Sequence, residues 1–136
     1  MRCRPILALL LCTLALLAAC GASVDRREAA YPPLGQFVEI DGRNVHAVVT
    51  GQGPDLVLIH GASGNLRDFT FRFVDRVKDR YRVIAFDRPG LGYSDAVPGG
   101  DSPAVQARAL RAAAAKLGVR RPIVLGQSYG ASVALA

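Results

Sequence analysis

The segment Ile123-Val124-Leu125-Gly126-Gln127-Ser128-Tyr129-Gly130 decides how the rest of the chain is read. Its first three residues form an apolar run of the kind found in a strand buried within a sheet. The residues from Tyr129 to Ala136 suit the start of a helix. Between them lies a five-residue G-x-S-x-G turn. Such a motif is short enough to arise by chance, and the strand before it and helix after it give it meaning. The chain must reverse so sharply that side chains at 126 and 130 would meet neighbouring backbone, so glycine is required there. The turn then presents the Ser128 hydroxyl beyond the end of the sheet, over a helix start whose free amides favour negative charge.

Upstream, two further buried strands end in loops of similar character. Leu56-Val57-Leu58-Ile59 runs into His60-Gly61-Ala62-Ser63-Gly64, and Val83-Ile84-Ala85-Phe86 runs into Asp87-Arg88-Pro89-Gly90-Leu91-Gly92-Tyr93-Ser94. Asn65 to Arg80 is expected to be one helix, with Phe69, Phe73 and Val77 four apart on its buried face. A second, alanine-rich helix opens at Asp101-Ser102-Pro103, with serine at the cap and proline in the first turn, and stops at Leu117-Gly118. Before all of these, Gln36 to Ile40 and Asn44 to Thr50 flank Asp41-Gly42, a hairpin turn signal. Val45, Ala47 and Val49 share one face of the second run, and His46 is expected to be half exposed. A hairpin followed by alternating strands and helices predicts an α/β fold, with a largely parallel sheet and helices on both faces.

These segments together resemble the α/β-hydrolase superfamily in its esterase-like branch, over Gln36 to Ala136. Gly126-Gln127-Ser128-Tyr129-Gly130 is similar to the family's nucleophile elbow, His60-Gly61 to its oxyanion loop, and Asp87 to Ser94 to its D-x-P-G-x-G-x-S segment. The resemblance implies that Ser128 is the nucleophile and that the backbone amides of Ala62 and Tyr129 form the oxyanion hole. It implies a structural role for His60, because the family's catalytic histidine comes later in the chain. It implies the same for Asp87, because the triad acid follows the nucleophile. Serine at the elbow sets the chain apart from the haloalkane dehalogenase and epoxide hydrolase branches, which carry aspartate there. Ser63, Ser94 and Ser132 lack an elbow setting.

No His, Asp or Glu follows Ser128 in the eight residues to Ala136. The expectation is therefore that this is the N-terminal part of a longer hydrolase, with the triad acid and histidine outside it. On that reading the strand at Ile123 to Leu125 keeps a bare apolar edge, and the 136-residue piece alone is nearly inert. A non-catalytic protein that keeps the fold for binding is the rival reading. A carbon–carbon hydrolase or perhydrolase on the same scaffold is a second.

The N-terminus reads separately. Met1 to Arg4 is short and basic, Ile6 to Ala19 is almost wholly apolar, and Leu17-Ala18-Ala19-Cys20 closes the run with small residues. This is the pattern of an export signal, and its end resembles the lipobox of bacterial lipoproteins. The expected organisation is a signal at 1–19, a lipidated Cys20 and tether at 20–35, and the hydrolase part at 36–136. An exported, membrane-anchored lipoprotein follows from it. The formal net charge is +6 and drops to +4 without Arg2 and Arg4. The remaining basic residues mostly alternate with acids, as in Asp75-Arg76-Val77-Lys78-Asp79-Arg80, which marks a solvated face and argues against nucleic acid as a partner. Gly51-Gln52-Gly53 lacks the strand-to-helix setting of a dinucleotide site, and no metal cluster or cofactor motif is visible. The expected partners are a small acyl substrate and, through the lipid, a membrane.

Overall fold

The computed structural model describes Leu9, Cys12, Thr13 and residues 29–136. Cys20 and most of the proposed signal and tether lie outside the described residues. The chain divides into two units, Met1–Pro33 and Leu34–Ala136, and the second holds the sheet. Among the described residues no helix is long and apolar enough to cross a membrane.

Five strands form the sheet: β1 (Gln36–Ile40), β2 (Arg43–Thr50), β3 (Asp55–Ile59), β4 (Arg82–Phe86) and β5 (Ile123–Gly126). Their order across the sheet is β1-β2-β4-β3-β5. β1 and β2 form the expected hairpin, and Asp41 and Gly42 both take positive φ, at 50° and 73°. This is the turn whose twist matches that of the flanking strands. β2 pairs antiparallel with β4, whereas β4, β3 and β5 run parallel. The parallel strands are therefore those that carry the candidate site.

β3 and β4 are buried on both faces, and their residues alternate between two cores. Val57, Ile59, Ile84 and Phe86 face a cluster with Leu110, Ala113 and Val133. Leu56, Leu58, Val83 and Ala85 face another with Leu66, Phe69 and Val74. The period of two thus supplies helices on both sides of the sheet with an apolar seat.

The region 65–80 departs from expectation. Two short helices, α1 (Arg67–Thr70) and α2 (Phe73–Val77), replace one long one. The break is at Arg72, whose φ of −151° is far from helical. Thr70, Phe71 and Phe73 are weak helix formers, and resetting the helix at Arg72 turns Val74 inward, where it is buried beside Phe69. α3 (Pro103–Lys116) matches its reading, with Ser102 at the cap position and Pro103 in the first turn. It closes at Gly118 (φ 77°), with Val119 N–H donating to Ala114 O. The last helix, α4, is Tyr129–Ala134.

β5 reads as a buried strand by composition, but Ile123, Val124 and Leu125 are exposed, in keeping with the bare apolar edge expected where no later strand pairs with it. β5 pairs with β3 along one edge, and among the described residues no strand covers the other. An apolar groove of about 760 Å³ runs beside it, between α3 and α4, with Val57, Leu110, Val124 and Val133 in its wall.

Candidate active site

Ile59, Phe86 and Gly126 end their strands in register: Ile59 is opposite both Phe86 and Gly126. The three following loops therefore emerge together at the carboxyl edge of the sheet. β3 lies between β4 and β5: the chain passes from β3 to β4 on one side of it and then crosses back to β5 on the other. Crevices of this kind are where open α/β sheets place their ligands.

Ser128 follows β5 at φ 51° and ψ −122°. It and Asp41 are the non-glycine residues at positive φ among the described residues. A serine held there stores about 1–3 kcal/mol of strain, and the surrounding contacts enforce it. Gln127 N–H donates to Ile59 O at 2.9 Å, and Gly130 N–H donates to Gln127 O at 2.8 Å. A Cβ on Gly126 would lie 2.5 Å from Ala131 Cα, and one on Gly130 would lie 2.6 Å from His60 O. The glycines of the motif are thus fixed by close approach of backbone to backbone. Ser128 is exposed, and among the described residues its hydroxyl has no hydrogen-bond partner.

The His60–Gly64 loop faces this turn. A Cβ on Gly61 would stand 3.3 Å from Ser128 Cβ and 3.8 Å from its Oγ. Ala62 and Tyr129 line one cavity of about 560 Å³, together with Arg88, Leu91, Val97 and Asp101. Neither the Ala62 nor the Tyr129 N–H donates a hydrogen bond among the described residues. Two unengaged amides at the wall of a cavity beside a strained serine have the makings of an oxyanion hole. Ser128 itself is not in that wall.

His60 is fully buried, and both ring nitrogens are engaged. Nε2 accepts the Arg88 backbone N–H at 3.0 Å, so the proton lies on Nδ1, which donates to Gly61 O at 2.9 Å. Its imidazole is therefore a loop brace and has no lone pair to offer Ser128. Burial, helped by the neighbouring Arg88 cation, holds its pKa below the usual 6.5, against the opposing pull of Gly61 O, Asp87 and Asp68. Unfolded chains take up this proton near pH 6.5 and the folded one resists it. His60 thus contributes stability that is complete above pH 6.5 and is lost as the pH falls below it. We expect His60→Gln, which keeps an acceptor for Arg88 but cannot titrate, to flatten the stability profile between pH 6.5 and 5 by up to about 1.4 kcal/mol per pH unit. Urea midpoints across that range test it; parallel profiles would contradict it.

Asp87 holds the third loop. Its carboxylate accepts Leu66 N–H at 2.7 Å, Tyr93 N–H at 2.9 Å and His46 Nδ1 at 2.7 Å. Burial pushes its pKa up, but these bonds outweigh it and hold the carboxyl below the usual range. Its role is structural. His46 is 1% exposed rather than half exposed. β2 is interior to the sheet, and the Phe37 and Tyr93 rings pack on the imidazole. Ser94 is structural too: its Oγ donates to Asp87 O and accepts His46 N–H.

Sequence reasoning missed Arg88, which is buried against the carbonyls of the His60–Ala62 loop. A lone arginine between Asp87 and Pro89 carries no periodicity that would mark it as buried. Its partner Gln106 did carry a signal, since it shares the buried stripe of α3 with Leu110 and Ala113.

The profile of the Alpha/beta hydrolase family matches residues 56–136. The chain belongs to the alpha/beta hydrolase family. Among curated relatives, the dihydrolipoyllysine-residue acetyltransferase component of an acetoin cleaving system from Cupriavidus necator is 35% identical over 114 residues, covering 83% of this chain and 29% of its own length. A 2-hydroxy-6-oxononadienedioate/2-hydroxy-6-oxononatrienedioate hydrolase from Paraburkholderia phymatum is 36% identical, over 68% of this chain and 34% of its own. Among solved structures, an esterase from Exiguobacterium antarcticum superposes with a TM-score of 0.67 at 29% identity, over 75% of this chain and 38% of that one. The chain thus spans about a third of the length of these curated relatives.

Proposed function

We propose that the full-length protein is a serine hydrolase that cleaves an ester or similar acyl bond. The observation that carries this reading is the strained Ser128, at φ 51° beyond the end of β5 and facing the Gly61–Ala62 loop. Ser128 Oγ attacks the substrate carbonyl, and the oxyanion is held by the Ala62 and Tyr129 amides. Each such donor contributes about 3 kcal/mol in the transition state. Collapse of the tetrahedral intermediate expels the alcohol and leaves acyl-Ser128, and water then releases the acid. The base and acid that activate Ser128 come from beyond Ala136. The exposed apolar edge of β5 and the greater length of the relatives support this continuation. The isolated 136-residue chain is then nearly inert, because a serine without its histidine is a poor nucleophile at neutral pH.

The similarity to the Paraburkholderia phymatum hydrolase favours carbon–carbon bond hydrolysis as a second reading on the same serine. Lipidation at Cys20 and anchoring to a membrane are part of the proposal, supported by the lipobox-like Leu17-Ala18-Ala19-Cys20. A second buried chain in addition to the first is what stable anchoring needs.

Short p-nitrophenyl esters test the activity. The full-length protein is expected to release a burst of p-nitrophenol matching the enzyme concentration, followed by steady turnover. Absence of ester cleavage by the folded full-length protein would contradict the acyl-hydrolase reading, and hydrolysis of the carbon–carbon bond beside the ketone of a 2-hydroxy-6-oxo-dienedioate, with release of a carboxylic acid, would then support the second.

A further inference from the structure

Arg88 is 2% exposed, and among the described residues no carboxylate is bonded to it. Buried guanidinium groups ordinarily face an acid. This one faces neutral acceptors. Nε donates to His60 O at 2.9 Å, and Nη2 donates to Gly61 O at 2.7 Å and Ala62 O at 3.3 Å. Nη1 donates to Gln106 Oε1 at 2.7 Å, and Gln106 is in turn oriented by its own bond to Gly100 O. The Arg88 backbone N–H fixes the His60 ring, and its Cζ lies 4.7 Å from the centre of the Tyr129 ring. Tyr129 is pinned from its other end, where its hydroxyl donates to Asp101 O at 2.7 Å.

A trans peptide is planar, with its carbonyl oxygen and amide hydrogen on opposite sides. When the guanidinium holds Gly61 O, the Ala62 N–H must therefore point away from Arg88. The same cation packs on the residue that supplies the second amide. We propose that Arg88 is a positioning residue for the oxyanion hole: it fixes the Gly61–Ala62 peptide and the Tyr129 ring from behind. This inference rests on the serine hydrolase reading. With no carboxylate bonded to it among the described residues, the Arg88 charge also favours negative charge developing on the far side of that peptide. Burial draws the guanidinium pKa down from its usual value, and the group stays cationic all the same. A lysine in its place would keep the charge but lose the planar fork that reaches successive carbonyls.

The test uses Arg88→Lys and Arg88→Met in the full-length protein, with ester kinetics, urea unfolding and hydrogen exchange of the 58–66 peptide. We expect kcat to drop by about 100-fold for Arg88→Met and about 10-fold for Arg88→Lys, with KM within about 3-fold of wild type. Exchange in the 58–66 peptide should quicken about 10-fold in both. If Arg88→Met does not fold, Arg88→Lys decides. A folded variant with kcat within about 2-fold of wild type and unchanged exchange would overturn the proposal. A proportional loss in KM and kcat with unchanged exchange would also overturn it. Ser128→Ala is measured alongside. Should it retain full activity, the serine reading fails by itself, and exchange alone then decides whether Arg88 anchors the loop.

Discussion

Replacing Ser128 with alanine is expected to abolish ester hydrolysis by the full-length protein, lowering kcat by about 10⁴-fold or more. The expectation rests on the turn at the end of β5. Ser128 is exposed, and among the described residues its hydroxyl bonds to nothing, so the side chain has no structural bond to lose. Alanine also keeps a Cβ, and with it the strain of the φ of 51°. Stability should therefore stay within about 0.5 kcal/mol of wild type. A large chemical effect with a negligible structural one is the signature of a nucleophile. Initial rates and urea midpoints on the same samples separate the two. Loss of activity together with loss of folding would instead make Ser128 a turn residue.

Gly130→Ala should show the opposite balance, with a loss of about 3 kcal/mol or more in stability. Gly130 is buried where α4 crosses the end of β3, and an added Cβ would press on the Ile59 and His60 carbonyl oxygens. These atoms belong to backbone, and the Ile59 carbonyl already accepts Gln127 N–H. Relief requires α4 to move outward, and Ser128 moves with it. Activity therefore falls as well, but as a consequence of displacement. Ser132→Ala, two residues on and exposed, is expected to change stability by no more than about 0.5 kcal/mol. Equal urea midpoints for Gly130→Ala and Ser132→Ala would contradict this packing account.

Much of the sheet was legible because its signals are local. The Asp41-Gly42 turn, the apolar runs of β3 and β4 and the Pro103 and Gly118 boundaries of α3 each follow from a few adjacent residues. The elbow was legible from its motif and its setting between strand and helix; of its glycines, Gly126 answers to Gly130 and Ala131 within the turn, whereas Gly130 answers to Ile59 and His60 far upstream. What escaped depended on partners far along the chain. His46 is buried because Asp87, 41 residues later, lies beside it once β2 pairs with β4. Arg88 acquires its role only when β3 and β4 align and bring the His60–Ala62 carbonyls within reach. The break at Arg72 reflects a competition between a continuous helix and the inward turn of Val74, which periodicity alone cannot weigh. The composition of β5 suits burial, and its bare second edge was legible only from the topology, because burial there depends on what pairs with that edge.

If Ser128 is the nucleophile, a reagent that traps activated serines should find it. The folded full-length protein is treated with a fluorophosphonate, digested, and the modified residue located by mass spectrometry. One phosphonyl group per chain is expected, on Ser128, absent from the Ser128→Ala variant and from heat-unfolded protein. Stable labelling of another residue in protein that hydrolyses esters, with Ser128 untouched, would contradict it.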